Sequence, residues 1–582
     1  MLLKCALLIA ALGCLNTSYG NPSKSTGTPW YSNAIVYELY PRSFQDSNGD
    51  GVGDLNGIIQ RADYLAQLGI DAIWLNPIYK SPDKDFGYDI NNFEDIQPLF
   101  GTLNDFKKLV EVLDSKGIGV IMDFVPNHSS DEHPWFVKSA NGEKDYLDYY
   151  VWHDGKIDQN GNRQPPNNWT SMFGGSMWTF NDKRQKYYLH QFLPQQPDLN
   201  FRNPKVVQEM QNVLKFWMNM GVRGFRIDAV SSLVESDTFE DEPFIGPDPN
   251  NYGEYNHTMT IEQPGTFDVL QGFMEFLESY TKENNRTSAP KLVMTENYNK
   301  HYDVIQKYYG SKDKPRSTFP MNMFWIMEMG VGSNASQWAN IINEWNNQAM
   351  PSGGWSIANW VLGNHDQLRM SGRFSPEHVD LLHMLQLSLK GVAIVYYGDE
   401  LGLENSQVRR DQALDPQGLR ADPKDFWWRD RDFCRGPMPW NNKSNADFTK
   451  GTPWLPLAPD YWKNNVESQS ANLRSHLSLF RKMAELRRTD VMKTGDCDVT
   501  SDGQVLLVYR SSPKKPTIVT VLNLGLFQET VDLKNTRPSI SGAMTIYAAS
   551  GNFPLTEESE RMNTTRITLP PLSGIVLAET LV

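Results

Sequence analysis

The sequence predicts an α/β protein built on a (β/α)8 TIM barrel, with an inserted loop-rich subdomain and a C-terminal all-β sandwich domain. Three observations carry this. Short β-branched and aromatic runs alternate with helix-like stretches about eight times, which implies parallel strands joined by right-handed crossovers. The rhythm lapses between residues 129 and 200, where Trp, Tyr, Asn, Gly and Pro crowd together without a helical period. After residue 490 only short strand-like runs and turns remain.

Taken in order, the first 20 residues hold one Lys, an apolar run from Cys5 to Leu15 and a small-residue end. This is the pattern of a secretory signal peptide (1–20), cleaved near Gly20–Asn21. The barrel strands are expected at 34–40, 70–75, 118–125, 223–230, 291–296, 359–364 and 391–398, with a weaker candidate at 319–327. Between them, 102–117 opens with a capping box at Thr102/Asp105 and stops at Gly117. The stretch 203–221 has Asn203 as its cap, Pro204 in the first turn and Gly221 after its end. On this reading the barrel occupies 21–128 and 201–493, the inserted B subdomain 129–200, and the β-domain 494–582, after the helix-like run 475–490.

Composition narrows the function. The 582 residues carry a formal charge of −14, which disfavours nucleic acid and anionic membrane surfaces as partners. No later segment of about 20 apolar residues predicts a transmembrane span. The C-terminal SGIVLAETLV is short and contains Glu579, so it does not read as a lipid-anchor signal. Of the four cysteines, Cys5 and Cys14 leave with the signal; Cys434 and Cys497 could pair or remain as two thiols. Sequons at Asn168, Asn256, Asn285, Asn334, Asn442 and Asn563 fit a secreted, extracellular glycoprotein.

The chemistry lies where apolar strands end in ionisable residues. In GVRGFRIDAVSS (221–232), Arg226 and Asp228 share one face of a strand, and burying that carboxylate is costly unless it is paired or useful. DFVPNH adds Asp123 and His128, MTEN adds Glu296, and GNHD adds His365 and Asp366. In a barrel these strand ends converge on the face where catalytic groups sit. The histidines lack an H-x-x-x-H or Cys cluster that would mark them as metal ligands.

DFVPNH, GFRIDAVS, TEN and NHD, in that order, resemble the α-amylase family of glycoside hydrolases, from about residue 30 to the C-terminus. QPDLN (196–200) is similar to the marker of its maltase and oligo-1,6-glucosidase branch, with secreted insect-type maltases the nearest in pattern. The resemblance implies Asp228 as nucleophile, Glu296 as acid/base and Asp366 as the third carboxylate. Retaining hydrolysis places the first two about 5–5.5 Å apart. Arg226 is expected to hold Asp228 ionised, while apolar surroundings or like charge keep the proton on Glu296. His128 and His365 match sugar-hydroxyl ligands, and the Asn127 sequon falls inside this site loop.

In FGYDI (86–90) and FCRGPMPW (433–440) the resemblance implies that Tyr88 stacks on the terminal glucose. Asp89 and Arg435 would clamp its hydroxyls and make the enzyme exo-acting. Relatives read R-T-P-M-Q-W where this chain has Gly436 and Pro439. DSNGDGVGD (46–54) is no EF-hand, since Gly57 stands at position twelve, but similar loops imply one structural Ca²⁺ on Asp46, Asn48, Asp50, the Val52 carbonyl and Asp54. An acidic solvated turn is the other reading. Ala229 goes with α-1,4 rather than α-1,6 preference in similar enzymes. The implied function is a secreted retaining α-glucosidase (maltase) acting on maltose, sucrose and short malto-oligosaccharides, with no organic cofactor. A same-fold glucosyl transferase such as a sucrose isomerase, and a non-catalytic relative, are the alternatives.

Overall fold

The computed structural model describes residues 29–283, 291–555 and 560–580. The expected signal peptide, Cys5, Cys14 and the Asn285 sequon lie outside the described residues. Eight parallel strands form one sheet: β1 (Ile35–Leu39), β2 (Ala72–Leu75), β3 (Gly119–Phe124), β4 (Gly224–Ile227), β5 (Leu292–Thr295), β6 (Phe319–Pro320), β7 (Asn359–Val361) and β8 (Val392–Tyr396). Their order is 6-5-4-3-2-1-8-7, a nearly closed barrel. Every residue of these strands is buried, as a parallel sheet wrapped by helices requires.

The weak 319–327 candidate contributes only Phe319–Pro320 before the chain turns into a short helix at Phe324–Glu328. Its proline has no N–H to give a ladder. Asn359 of β7 joins the two ends of the sheet instead: its Nδ2 donates to the Pro320 carbonyl at 2.8 Å, and its Oδ1 accepts from the Asn322 N–H at 2.7 Å. One buried side chain thus does the work of a missing ladder.

The helices start where their caps predict. In α1 (Leu103–Ser115) Thr102 and Asp105 form a capping box. In α2 (Pro204–Asn219) the Asn203 side chain accepts from the Lys205 N–H, and Gly221 follows the end at a φ of 98°. The helices α3 (Pro264–Glu283), α4 (Val379–Ser388) and α5 (His476–Arg487) include one that is buried at every position, α4. Its last carbonyls face two buried cations. Arg487 donates to Leu387 O (3.1 Å) and Leu389 O (2.8 Å), and Arg510 to Ser388 O (2.9 Å).

Within 129–200 the chain forms a helix, Pro134–Ala140, and a three-stranded antiparallel sheet of Trp152–His153, Trp178–Asn181 and Lys186–Leu189. A small core of Val151, Trp169, Met177, Trp178, Tyr187 and Leu189 lies beneath it. The insertion returns to the barrel rim through bridges pairing His128 with Asp198 and Tyr150 with Leu199.

The C-terminal region is antiparallel: β9 (Asp496–Asp502), β10 (Val505–Ser511), β11 (Ile518–Asn523), β12 (Ala543–Ala549), β13 (Arg561–Asn563) and β14 (Ser573–Ala578), in the order 9-10-11-14-12-13. A two-stranded sheet, Glu529–Val531 with Ile567–Leu569, packs across a core that includes Val519, Val521, Ile567 and Leu577. Cys434 and Cys497 are free thiols, and Cys434 donates to the Arg431 carbonyl at 3.1 Å.

Candidate active site

β4 stops because Ala229 takes a φ of 46°, in the left-handed region that side chains rarely adopt. The Asp228 N–H donates back to Phe124 O at 2.8 Å, and the turn presents the Asp228 carboxylate to a cavity of about 620 Å³. Phe225 lies on the helix side of the strand, against Phe124, which in turn meets Phe273 of α3. Arg226 therefore points into the barrel. Glu296, one residue beyond β5, and Asp366, beyond β7, line the same cavity, as do Tyr88, His128 and His365.

Arg226 is 1% exposed and serves three carboxylates. It donates to Asp123 Oδ1 at 3.0 Å and to Asp228 Oδ1, and its Nη2 lies 2.8 Å from Glu296 Oε1. The Ala229 N–H donates to the other Glu296 oxygen at 3.0 Å. If all three acids were ionised, one guanidinium would face three buried negative charges, so protons are retained. Burial, partly offset by Arg226, pushes Glu296 up to about 8 and Asp228 up to about 7. Arg226 lowers both carboxyls and burial raises both, so the guanidinium offsets only part of the cost of burying Asp228.

Asp366 behaves oppositely. Burial would raise it, yet neighbouring positive charge holds its carboxyl well below the usual range. His365 is itself driven neutral by burial, so the charge comes from Arg435 (3.0 Å from Oδ1) and Arg431 (3.4 Å). Glu38 of β1, absent from the sequence reading, sits 2.6 Å from His365 Nδ1. Burial raises its carboxyl far above the ordinary value, which leaves the proton on Glu38 and the imidazole N–H on Nε2. That nitrogen is 2.6 Å from the Tyr88 hydroxyl and 3.3 Å from Asp366, with the Tyr88 and His365 rings stacked at 6°. His128, pushed down to about 4 by burial, is likewise neutral and lies 3.1 Å from Tyr88 O.

The expected Asp89–Arg435 clamp needs correction. Asp89 is fully buried and accepts from Lys84 N, Asp85 N and Ser81 Oγ at 2.9, 2.9 and 3.0 Å, closing its own turn. Arg435, also fully buried, donates to His365 O at 2.8 Å and to Asp366. The pair that lines the cavity is Asp85 and Arg431, 2.6 Å apart. Phe86 (φ 47°) and Gly87 (φ 97°) turn the chain so that Asp85 and Tyr88 face the cavity and Asp89 faces away. Gln196 steadies the second Asp85 oxygen at 3.1 Å, and Asp415 steadies Arg431 at 2.6 Å.

The loop 46–54 lies apart from this cavity. Asp46, Asn48 and Asp50 each accept the N–H two residues on, at 2.9, 2.8 and 2.9 Å. Asp54 caps the following turn through Gly57 N at 2.7 Å. An all-oxygen donor set suits a hard cation such as Ca²⁺. Among the described residues, however, no three or more His, Cys, Asp or Glu side chains are gathered as a metal site. An ion there would take its oxygens from Asp46, Asn48, Asp50, Asp54 and the Val52 carbonyl, none of which lines the catalytic cavity.

Comparison with known proteins agrees with the geometry. Residues 38–495 match the model of the α-amylase catalytic domain. A salivary alpha-glucosidase of Anopheles gambiae is 40% identical over 98% of this chain and 97% of its own. Maltase A1 of Drosophila melanogaster is 41% identical over 87% of this chain and 89% of its own. Among solved structures, the alpha-glucosyl transfer enzyme XgtA superposes with a TM-score of 0.82 at 30% identity, covering 95% of this chain and 99% of that one. With the catalytic-domain match and the carboxylate constellation in agreement, this chain belongs to the α-amylase family of glycoside hydrolases.

Proposed function

We propose that the protein is a secreted, exo-acting, retaining α-glucosidase that releases terminal α-1,4-linked glucose from maltose, sucrose and short malto-oligosaccharides. The observation that carries this is the trio of Asp228, Glu296 and Asp366 around one cavity whose wall bears the Asp85–Arg431 pair. In the proposed reaction an Asp228 oxygen attacks the anomeric carbon while Glu296 gives its proton to the departing oxygen. The glycosidic bond breaks and a β-linked glucosyl ester forms. Glu296, now ionised, takes a proton from water as that water attacks the same carbon, and Asp228 leaves as a carboxylate. Asp366, held ionised, hydrogen-bonds sugar hydroxyls, and Asp85 with Arg431 grips the non-reducing end. Secretion is supported by relatives named salivary alpha-glucosidases. Among the described residues no helix is long and apolar enough to cross a membrane.

Initial rates test the proposal. Maltose, then sucrose, should be cleaved well ahead of isomaltose, with free glucose rather than a rearranged disaccharide as product. A rearranged disaccharide as the main product would favour a glucosyl transferase. Ala229→Val should shift the kcat/KM ratio toward isomaltose by roughly 10-fold or more through crowding beside the nucleophile. A β-branched residue at that positive φ is strained, so the ratio, not the absolute rate, is the readout. An unchanged ratio removes this residue from linkage selection.

Calcium on Asp46, Asn48, Asp50, Val52 and Asp54 is a separate proposal. Elemental analysis should find one Ca²⁺ per chain, and chelation should lower the Tm while low-temperature activity survives. No metal and an unchanged Tm would leave the loop as a self-closed turn.

A further inference from the structure

We propose that Glu38 of β1, which does not line the catalytic cavity, is a positioning residue of the reaction. As an uncharged acid it keeps the His365 proton on Nε2, where that nitrogen donates toward Asp366 and a bound sugar. The inference rests on the α-glucosidase reading and gives this buried residue a part in it.

Glu38 is fully buried, in register with Trp74 on β2 and Tyr396 on β8. Its Oε1 lies 2.6 Å from His365 Nδ1 and accepts from the His365 N–H and from Asn76 Nδ2, each at 3.3 Å. The Asn76 amide also faces Nδ1, at 3.0 Å, as a donor faces a lone pair. Oε2 is buried without a partner, and among the described residues no Lys or Arg pairs with this carboxyl. A charged carboxylate with one bare oxygen is costly in such a place. A neutral acid needs only a base to receive its hydrogen bond, and Nδ1 is that base. Burial raises the Glu38 carboxyl most; Arg226 and Asn76 pull it down, while Asp366 and Asp123 push it further up.

The plane of the imidazole is held by rings. Tyr88 stacks on it at 5.6 Å and 6°, Tyr40 at 6.0 Å and 25°, and Trp74 meets it edge-on at 6.2 Å. What Glu38 decides is which nitrogen carries the proton. The ionised Asp366 lies 3.3 Å from Nε2. A lone pair on Nε2 would oppose that carboxylate, whereas a proton there supports it and leaves the nitrogen a donor. Hydrogen bonds to the reacting sugar strengthen in the transition state, so loss of this donor falls on kcat more than on KM.

The test measures kcat and KM on maltose across pH, with the Tm, for the full chain, Glu38→Leu and Glu38→Gln. Glu38→Leu should lower kcat about 10²-fold with KM changed by less than about threefold. Glu38→Gln, uncharged and of the same shape, should recover at least about tenfold of that loss, with both pH limbs where the wild type has them. Glu38→Leu at the wild-type kcat shows that the residue positions nothing and overturns the proposal. Glu38→Gln as slow as Glu38→Leu, or with a displaced acid limb, shows that the charge is needed and overturns it too. If Glu38→Leu fails to fold, Glu38→Gln decides alone: kcat within about tenfold of the wild type at unmoved limbs supports the proposal, and a larger loss overturns it. In each of these cases the α-glucosidase reading stands, whereas a wild type that does not cleave maltose overturns that reading and this proposal with it.

Discussion

Replacing Asp228 by Asn is expected to lower kcat/KM on maltose by at least about 10³-fold, roughly 4 kcal/mol of barrier, without lowering the Tm. Asparagine keeps the shape and still accepts from Arg226, but it cannot attack carbon. It also removes one of three acids crowded around a single guanidinium, so stability should hold or rise. Glu296→Gln should be comparably damaging on maltose and much milder on aryl glucosides whose leaving group needs no proton. The pH profile carries the same logic. The reactive form has Asp228 ionised and Glu296 protonated, so the rate rises as Asp228 loses its proton and falls as Glu296 loses its own. With these groups raised to about 7 and about 8, the alkaline limb should lie far above the ordinary glutamate value of about 4.3. An alkaline limb in that ordinary range would contradict the electrostatic account.

The second large effect separates two aspartates four residues apart. Asp85→Ala should cost about 10²-fold in kcat/KM, since it removes a charge-assisted partner worth roughly 1.5–3 kcal/mol per bond and loosens Arg431. Asp89→Ala should instead lower the Tm by several degrees, because the buried Lys84 and Asp85 N–H groups lose their acceptor. Its folded fraction should retain activity. A large activity loss at unchanged Tm in Asp89→Ala, with Asp85→Ala active, would restore the clamp first read from the sequence.

That exchange shows where the sequence stops being legible. Strand runs, caps at Thr102 and Asn203, and carboxylates at strand ends are local signals, and the elements appear where these stand except at 319–327, which gives only Phe319–Pro320 before a helix. Asp85 and Asp89 flank Tyr88 almost symmetrically in the sequence. Only the left-handed turn at Phe86–Gly87 decides which of them faces the cavity. Arg431 and Arg435 stand four residues apart, and only the carboxylates they meet in the fold, Asp85 for Arg431 and Asp366 for Arg435, tell which of them reaches the cavity wall. Glu38 sits inside an apolar strand, and its partner His365 lies 327 residues away, so no spacing could reveal the pair. The short β6 and its Asn359 bridge are a tertiary solution to a missing ladder, invisible to periodicity.

The central claim is a two-step displacement through Asp228, and the anomer of the first-released glucose tests it most directly. Proton NMR of maltose hydrolysis, read before mutarotation, should show the α-anomer appearing first, because two inversions at one carbon restore the starting configuration. The β-anomer appearing first would mean a single displacement by water and would contradict the role given to Asp228.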